Sequence, residues 1–385
     1  MSKILTIVIG LFTITLSGQE IKLSPAAKVS VVTCGPGEPL YSAFGHSAFR
    51  VEDPVLGIDQ AYNYGTFNFD TPNFYVKFAR GKLLYDLSSY PFHYFYKEYK
   101  SDNRWVKEDI LNLSPSETQR FFEFLQNNAK PENRSYLYDF FFDNCATKLP
   151  EVSHKILKDT VKLNYNFADN QHYTFRQLLH LYLTNHPWGK FGIDLALGSV
   201  IDRKATPQEY LFLPDYVSKA YENGTINSEP LVTKSQMLIP SVKEVRNSTI
   251  FTPLLLFFIL ALLVVIITIR DLKQHKRSKW LDAFLFLITG LPGLVILLLW
   301  FATDHTATAN NFNALWAFAP NLIFVVTLFK EELPHFLKYW LILLLGLLAV
   351  TVLLWIIKIQ IFPIAIIPLL VLLAIRYIYL YRVSN

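Results

Sequence analysis

Five apolar stretches dominate the last third of the chain: Ile250–Ile269, Ala283–Ala302, Phe312–Phe329, Tyr339–Ile357 and Ile359–Ile375. Each approaches the roughly 20 residues with which an α-helix crosses about 30 Å of hydrocarbon. Lipid offers backbone groups no partners, so such stretches must close their own hydrogen bonds as helices. Residues 248–382 are therefore predicted to form an all-α transmembrane bundle of about five helices. The last two stretches are separated only by Lys358, which leaves a hairpin or a re-entrant pair open. No ionisable residue falls at the centre of a stretch, which argues against an ion or proton transporter. Arg376 lies near an end and is expected to snorkel.

Loop charge orients the bundle. Arg270, Lys273, Lys276, Arg277 and Lys279 cluster between the first two stretches, whereas Asp304 to Asn313 carries no Lys or Arg. The positive cluster is expected on the cytoplasmic side, which places everything before Ile250 outside. The first residues agree independently: Lys3, an apolar run from Ile4 to Leu16, then small Ser17 and Gly18 form a secretory signal over residues 1–19. No Cys follows closely, so a lipoprotein signal is not expected.

Average composition, 52% hydrophobic and 17% charged, hides a break near Asn247 between an aromatic, mixed-charge half and the apolar one. The net charge of +5 is largely helix-flanking Lys and Arg and gives no support for nucleic-acid binding. In residues 20–222, KVSVVTC, GHSAFRVED and AYNYG read as short strands between turn formers. NLSPSETQRFFEFLQNNA reads as a helix capped by Ser114, with Pro115 in the first turn and Glu117 completing a capping box. Further helices are expected after Tyr173, broken at His186-Pro187 and started again near Thr206-Pro207. Strands and helices in blocks imply an α+β domain. The polar stretch 223–247 reads as a linker.

Two residues suggest chemistry. His46 stands in Phe44-Gly45-His46-Ser47, and Cys145, about a hundred residues later, in Asp143-Asn144-Cys145-Ala146. Asn144 is a good N-cap, so Cys145 is expected in a first helical turn, where the helix dipole and free N–H groups favour a thiolate. Pro150 should shorten or kink that helix. A buried Cys and a satisfied His are the bland alternative. A disulfide is another, since Cys34 and Cys145 are the only cysteines and an exported compartment permits bridging.

GHSAFR, AYNYGTFNF, NRWVKEDILNLSPSE, YLYDFFFDNCATKL and GSVIDR…FLPD, in this order across residues 28–217, resemble the lipoprotein N-acyltransferase family of Bacteroidota called Lnb. That outer domain is in turn similar to circularly permuted NlpC-type, papain-like thiol enzymes, where a strand His precedes a helix-start Cys. Lecithin:retinol acyltransferase resembles the same arrangement. The resemblance implies an α+β permuted papain-like extracytoplasmic domain followed by the transmembrane bundle, with Cys145 as nucleophile and His46 as general base and acid.

Papain-like sites add a polar group that orients the imidazole. Asn63, between Tyr62 and Tyr64, is the candidate, and strand register decides which of the three faces His46. Asp202 and Arg203 match a GSxxDR pattern that either holds a headgroup phosphate or braces the site, and Arg104 has the same two readings. Phe67 to Tyr99 contains twelve Phe and Tyr residues among Lys77, Arg80, Lys82 and Lys97, suited in part to core packing and in part to an acyl-chain groove.

The activity implied by the resemblance is transfer of an acyl chain from a membrane phospholipid, through a Cys145 thioester, to the amine of a diacylglyceryl-cysteine lipoprotein. No metal or soluble cofactor is implied, and no nucleic acid. The expected location is the bacterial inner membrane, with the catalytic domain periplasmic. Alternatives are a membrane-anchored cysteine amidase or peptidase and a non-catalytic scaffold.

Overall fold

A computed structural model of the protein describes residues 21–169, 171–241 and 250–384. The expected signal segment 1–19 and the end of the expected linker, 242–247, lie outside the described residues. The outer part is built on a seven-stranded antiparallel sheet ordered β10-β5-β1-β2-β3-β4-β6. Its strands are β1 (Lys28–Cys34), β2 (His46–Asp53), β3 (Ile58–Thr66), β4 (Leu84–Pro91), β5 (Val106–Leu111), β6 (Ser135–Leu137) and β10 (Val232–Ile239). Short strands β7 (Val161–Lys162), β8 (Thr225–Ile226) and β9 (Glu229–Pro230) form a separate ribbon.

Side chains alternate across a strand, and β1 is buried on both faces. Val29 and Val31 enter a core shared with α3 (Pro115–Asn128), α4 (Cys145–Leu157) and α7 (Pro214–Glu222). Val32 and Cys34 enter a second core with Phe92, Phe95 and Tyr99 of α2 (Phe92–Ser101). The sheet is therefore sandwiched between helices, and the ends of β1 and β3 and the start of β2 meet at one rim. α3 carries the predicted capping box between Ser114 and Glu117. α1 (Phe74–Ala79) lies between β3 and β4.

The stretch 223–247 is not simply a linker. Leu231 is buried in the core, and β10 pairs with β5 as an edge strand. Its alternation is hidden by exposed Lys234 and polar neighbours, as an edge with one solvated face allows. α4 also departs from expectation by continuing through Pro150 to Leu157. Proline there removes only the bond to the Ala146 carbonyl, and the buried packing of Leu149, Val152 and Ile156 carries the helix on.

Four helices are long and apolar enough to cross a membrane: α8 (Pro253–Gln274), α9 (Lys279–Phe301), α11 (Phe336–Ile356) and α12 (Ile366–Val383). The predicted third span, Phe312–Phe329, is instead α10 (Asn313–Trp316) followed by 3₁₀ turns at Ala319–Phe324 and Thr327–Phe329. Irregular backbone at this depth is tolerated only where protein covers it. Gly290 and Gly293 of α9 provide that cover by allowing close approach: a Cβ on Gly293 would lie 1.9 Å from the Ala317 carbonyl oxygen. Asn321 donates to Thr289 Oγ1 and accepts from Trp340 Nε1, each at 3.0 Å. The segment starts where Asn313 donates to the Asp194 carbonyl at 3.0 Å, on the outer side. It ends where Arg277 grips the Leu328 and Lys330 carbonyls at 2.9 and 2.6 Å, on the positively charged side.

Arg376 does not snorkel. It is buried, with Nε 2.6 Å from Asp282 Oδ1 and Nη2 2.9 Å from Asp271 Oδ2, and it ties α12 to α8 and α9. Carboxylates at the inner ends of two helices give the guanidinium partners that the apolar pattern of α12 does not reveal.

α5 (Phe175–Tyr182) and α6 (Pro187–Ala196) seat the outer part on the bundle. Gly198 N–H donates to the Ala307 carbonyl and Ser199 N–H to that of Asn310, at 2.9 and 3.0 Å. Asn311 Nδ2 reaches the Leu195 carbonyl at 2.7 Å.

Candidate active site

The site forms at the sheet rim where β1, β2 and β3 end or begin. Gly45, with φ +80°, turns the chain into β2; a Cβ there would sit 2.7 Å from the Cys34 carbonyl oxygen. His46 follows as the first residue of β2, paired across the strands with Cys34. Asn63 shares with Ala61 the β3 face turned to α2, while Tyr62 and Tyr64 point the other way. There the two tyrosines bond Gln126 and Asn128 of α3, at 2.8 and 2.6 Å. Register therefore gives His46 the asparagine and not the tyrosines.

His46 Nε2 lies 2.5 Å from Asn63 Oδ1. Asn63 Nδ2 donates to the Tyr90 hydroxyl at 2.9 Å, and the amide oxygen faces the ring. An amide oxygen only accepts, so Nε2 carries the proton and Nδ1 is left for the thiol. Phe95 and Tyr99 flank the imidazole, with ring centres 6.5 and 6.3 Å away.

Cys145 is the first residue of α4. Asn144 caps the helix, its Oδ1 accepting from the N–H groups of Ala146 and Thr147 at 2.8 and 2.9 Å. Such a cap stabilises a helix by about 1 kcal/mol. Its Nδ2 is spent on the Phe140 and Phe212 carbonyls, at 2.7 and 2.8 Å, which locks the helix start into the core. Both Cys145 and His46 remain half-buried and so reachable.

Burial opposes ionisation of the Cys145 thiol. The charge and hydrogen bond of His46 and the N–H groups of Ser47 and Ala146 outweigh it and hold the thiol below its ordinary value. Burial likewise opposes a charged imidazole, and Arg104 opposes it too. The Cys145 charge, its hydrogen bond and the Asn63 oxygen nevertheless lift His46 above its ordinary value. Both shifts favour a thiolate beside an imidazolium, the form in which a cysteine can act as a nucleophile with a proton donor next to it. Cys34 differs: burial pushes its thiol far up, and it is fully enclosed. Both cysteines are free thiols, so no bridge consumes Cys145.

Arg104 is brought to the same pocket. It is buried, its Nε donates to the Gly35 carbonyl at 2.8 Å, and its guanidinium lies 4.5 Å from the centre of the Tyr99 ring. Among the described residues its Nη2 is buried without a partner. Asp202 and Arg203 lie elsewhere. Asp202 receives Arg176 Nε and Nη2 at 2.8 and 3.0 Å and the N–H of Ile361 from the bundle. Arg203 is forked to Glu209 and covers the Phe175 ring at 4.7 Å. Their geometry is that of a brace.

The sequence does not single out Tyr136. Its hydroxyl is buried with no hydrogen-bond partner among the described residues. A Cβ on Gly65, at φ +87°, would lie 3.4 Å from Cys145 Cβ and 3.9 Å from that hydroxyl. A phenol donor with nothing to bond, beside the nucleophile, is available to an oxyanion. The one signal was its place in the aromatic run before Asn144, indistinguishable by type from core residues.

Residues 21–180 match the family model described as the Lnb N-terminal periplasmic domain. Residues 245–385 match the one described as the Lnb transmembrane domain. Neither a curated protein nor a solved structure matches the chain. The two models take in both the sheet domain with its His46–Cys145 rim and the bundle beneath it, and this membrane protein with a periplasmic portion belongs to the Lnb family.

Proposed function

We propose that the chain is a thiol-dependent N-acyltransferase of the bacterial inner membrane, whose donor is a membrane phospholipid and whose acceptor is a diacylated lipoprotein. The observation that carries this is the His46–Cys145 pair, with a depressed thiol at a helix start and an Asn63 hydrogen bond on the far ring nitrogen. The order His46 before Cys145 supports a permuted papain-like arrangement.

The Cys145 thiolate attacks the ester carbonyl carbon of the donor. Ser47 N–H and the Tyr136 hydroxyl are the donors we assign to the developing oxyanion, Ala146 N–H being engaged by the Asn144 cap. The carbon–oxygen bond to glycerol breaks, the imidazolium of His46 protonates the departing alkoxide, and a lysophospholipid leaves behind a thioester. The lipoprotein's α-amine then attacks that thioester. The carbon–sulfur bond breaks, His46 takes the amine's proton, and an amide and the resting thiolate result. Asn63 keeps the ring in the tautomer that both steps use. Arg104, with its unpaired Nη2, is the group suited to the donor's phosphate, whereas Asp202 serves by holding α5 to the bundle and Arg203 by bracing Glu209 and Phe175 within the outer domain.

A cell-wall amidase would use the same pair. Lipid substrates are favoured because the sheet domain sits directly on the bundle. The test is mass spectrometry of lipoprotein N-termini from cells that lack any other N-acyltransferase. Triacylated termini with the wild-type chain and diacylated ones with Cys145→Ala are expected. Unchanged N-acylation with Cys145→Ala, or release of peptides from purified cell wall by the wild-type protein alone, overturns the proposal.

A further inference from the structure

α1 and the loop before it carry apolar side chains left largely uncovered among the described residues: Phe69 is 68% exposed, Tyr75 79%, Val76 58% and Phe78 54%. Contiguous apolar surface of this kind marks a membrane or partner contact. The fold shows which. Asp304 N–H donates to the Arg80 carbonyl at 2.9 Å, and Lys82 lies 3.6 Å from the Asp304 carboxylate. A Cβ on Gly81 would lie 3.2 Å from His305 Nδ1. These contacts pin the end of α1 to the loop that leaves α9 on its outer side.

Between them runs an open groove of about 450 Å³, with Ala79 and Arg80 on one wall and Val295, Leu298 and Leu299 of α9 and the following Ala302 on the other. One wall is thus the outer end of a membrane-spanning helix, so the groove opens into the lipid itself. Arg80 stands exposed at its rim, and among the described residues its guanidinium has no side-chain partner. An apolar trough under a free cation matches one molecule, a phospholipid with a chain in the trough and its phosphate at the rim.

From Phe74 of α1, a run of packed rings extends toward Cys145. Phe67 packs on Phe69, Phe74 and Tyr85, with ring centres 5.0, 5.7 and 5.2 Å apart, and Tyr85 stacks on Tyr138 at 4.3 Å. Two residues before Phe67, Gly65 faces Cys145 closely enough that an added Cβ would lie 3.4 Å from Cys145 Cβ. We infer that α1 dips into the outer leaflet and, with α9, forms a lipid-entry groove that holds one phospholipid and delivers its acyl chain along the Phe67–Tyr85 rings to the thiol. Delivery rests on the acyl-transfer function proposed above; occupancy of the groove does not.

The full-length protein in phosphatidylethanolamine–phosphatidylglycerol vesicles, doped with a phosphatidylethanolamine bearing a diazirine in its acyl chain, separates the two. After irradiation, label should concentrate on peptides spanning residues 74–80 and 295–303 rather than on the outer ends of α8, α11 and α12. Leu298→Trp should fill the groove and lower that label about tenfold. Ala302→Trp, at the groove's outer end, repeats the test if the first variant fails to accumulate. In the same samples, the intact mass of the protein reports acyl-Cys145, which should fall with either tryptophan. Label spread evenly over the outer ends of all spans, or tryptophan variants that acylate Cys145 like wild type, overturns the groove. Concentrated label without any acyl-Cys145 keeps the lipid site and removes acyl transfer.

Discussion

His46 Nε2 and Asn63 Oδ1 are 2.5 Å apart, and Asn63 Nδ2 donates to the Tyr90 hydroxyl. Asn63→Ala removes a hydrogen bond that favours the charged form of His46, and a bond to a charged group is worth about 1.5–3 kcal/mol or roughly 10–150-fold. The expected outcome is a drop of that size in kcat with little change in KM, read by single-turnover formation of the Cys145 thioester. Asn63→Asp, which keeps an acceptor, should retain most of the activity. Equal losses in both variants would refute an orienting role.

Activity should follow a bell-shaped pH profile, because the reactive form needs both the thiolate and the imidazolium. The Cys145 thiol is depressed, so the acid limb must fall below the ordinary thiol value of 9.0. His46 is raised, so the alkaline limb must lie above the ordinary imidazole value of 6.5. Arg104 acts against the His46 charge, so Arg104→Met should move the alkaline limb upward while weakening donor binding. Thiol alkylation rate against pH measures both limbs without substrate. An acid limb at or above the ordinary thiol value would contradict the ion pair.

Tyr136→Phe separates catalysis from folding. The hydroxyl has no partner among the described residues, so its removal breaks no hydrogen bond there and relieves a buried donor. Stability should hold or rise slightly. If the hydroxyl donates to the oxyanion, kcat should fall about 10²–10³-fold, the usual effect of deleting such a donor. Reduced stability with unchanged turnover would assign Tyr136 to the core.

What could be read from the residues followed the strength of the local signal. The Ser114 cap, the apolar length of α8 and α9 and the positive loop between them each depend on near neighbours in sequence. So does Asn144 before Cys145. Pairings that depend on distant chain were not readable. Asn63 required the register of β2 against β3, and its bond to Tyr90 required β4 as well. Phe312–Phe329 has a span's composition, but Pro320 and the polar side chains of Asn313 and Asn321 make it irregular, and only the glycines of α9 reveal how it is accommodated. Arg376 looked like a terminal residue free to reach water because its partners, Asp271 and Asp282, lie about a hundred residues upstream.

Gly293 offers a direct check on that irregular segment. An added Cβ would meet the Ala317 carbonyl at 1.9 Å and the Ala319 nitrogen at 2.6 Å, both backbone atoms that cannot swing away. Gly293→Ala should therefore displace the segment and destabilise the bundle by about 1–3 kcal/mol. Gly346→Ala in α11, where a Cβ meets nothing within 4 Å, should be neutral or slightly stabilising. Thermal unfolding of both variants in detergent distinguishes close packing from a general sensitivity of membrane helices to substitution.

Arg176 is the strongest test of how the periplasmic helices are fastened to the bundle. It is buried, with Asp194 and Asp202 both at 2.8 Å and the Gly198 carbonyl at 3.0 Å. Asp194 and Asp202 each touch the bundle as well, through Asn313 and the Ile361 N–H. Arg176→Met leaves buried Asp202 without a cation and Asp194 with only His180, at 2.9 Å, which should cost about 3–5 kcal/mol. Burial already raises Asp202 above its ordinary value even with Arg176 present, and removing the cation raises it further. A carboxyl whose folded value exceeds its unfolded one is penalised as pH rises through that window, so the variant should regain stability as pH falls toward the ordinary 3.8. Neutralising the carboxylates in Arg176→Met/Asp194→Asn/Asp202→Asn should recover much of the loss at neutral pH. Limited proteolysis of the full-length protein reads the result: release of the segment 170–213 in the single variant and protection in the triple. Equal release in both would mean that charge compensation is not what holds the two parts together.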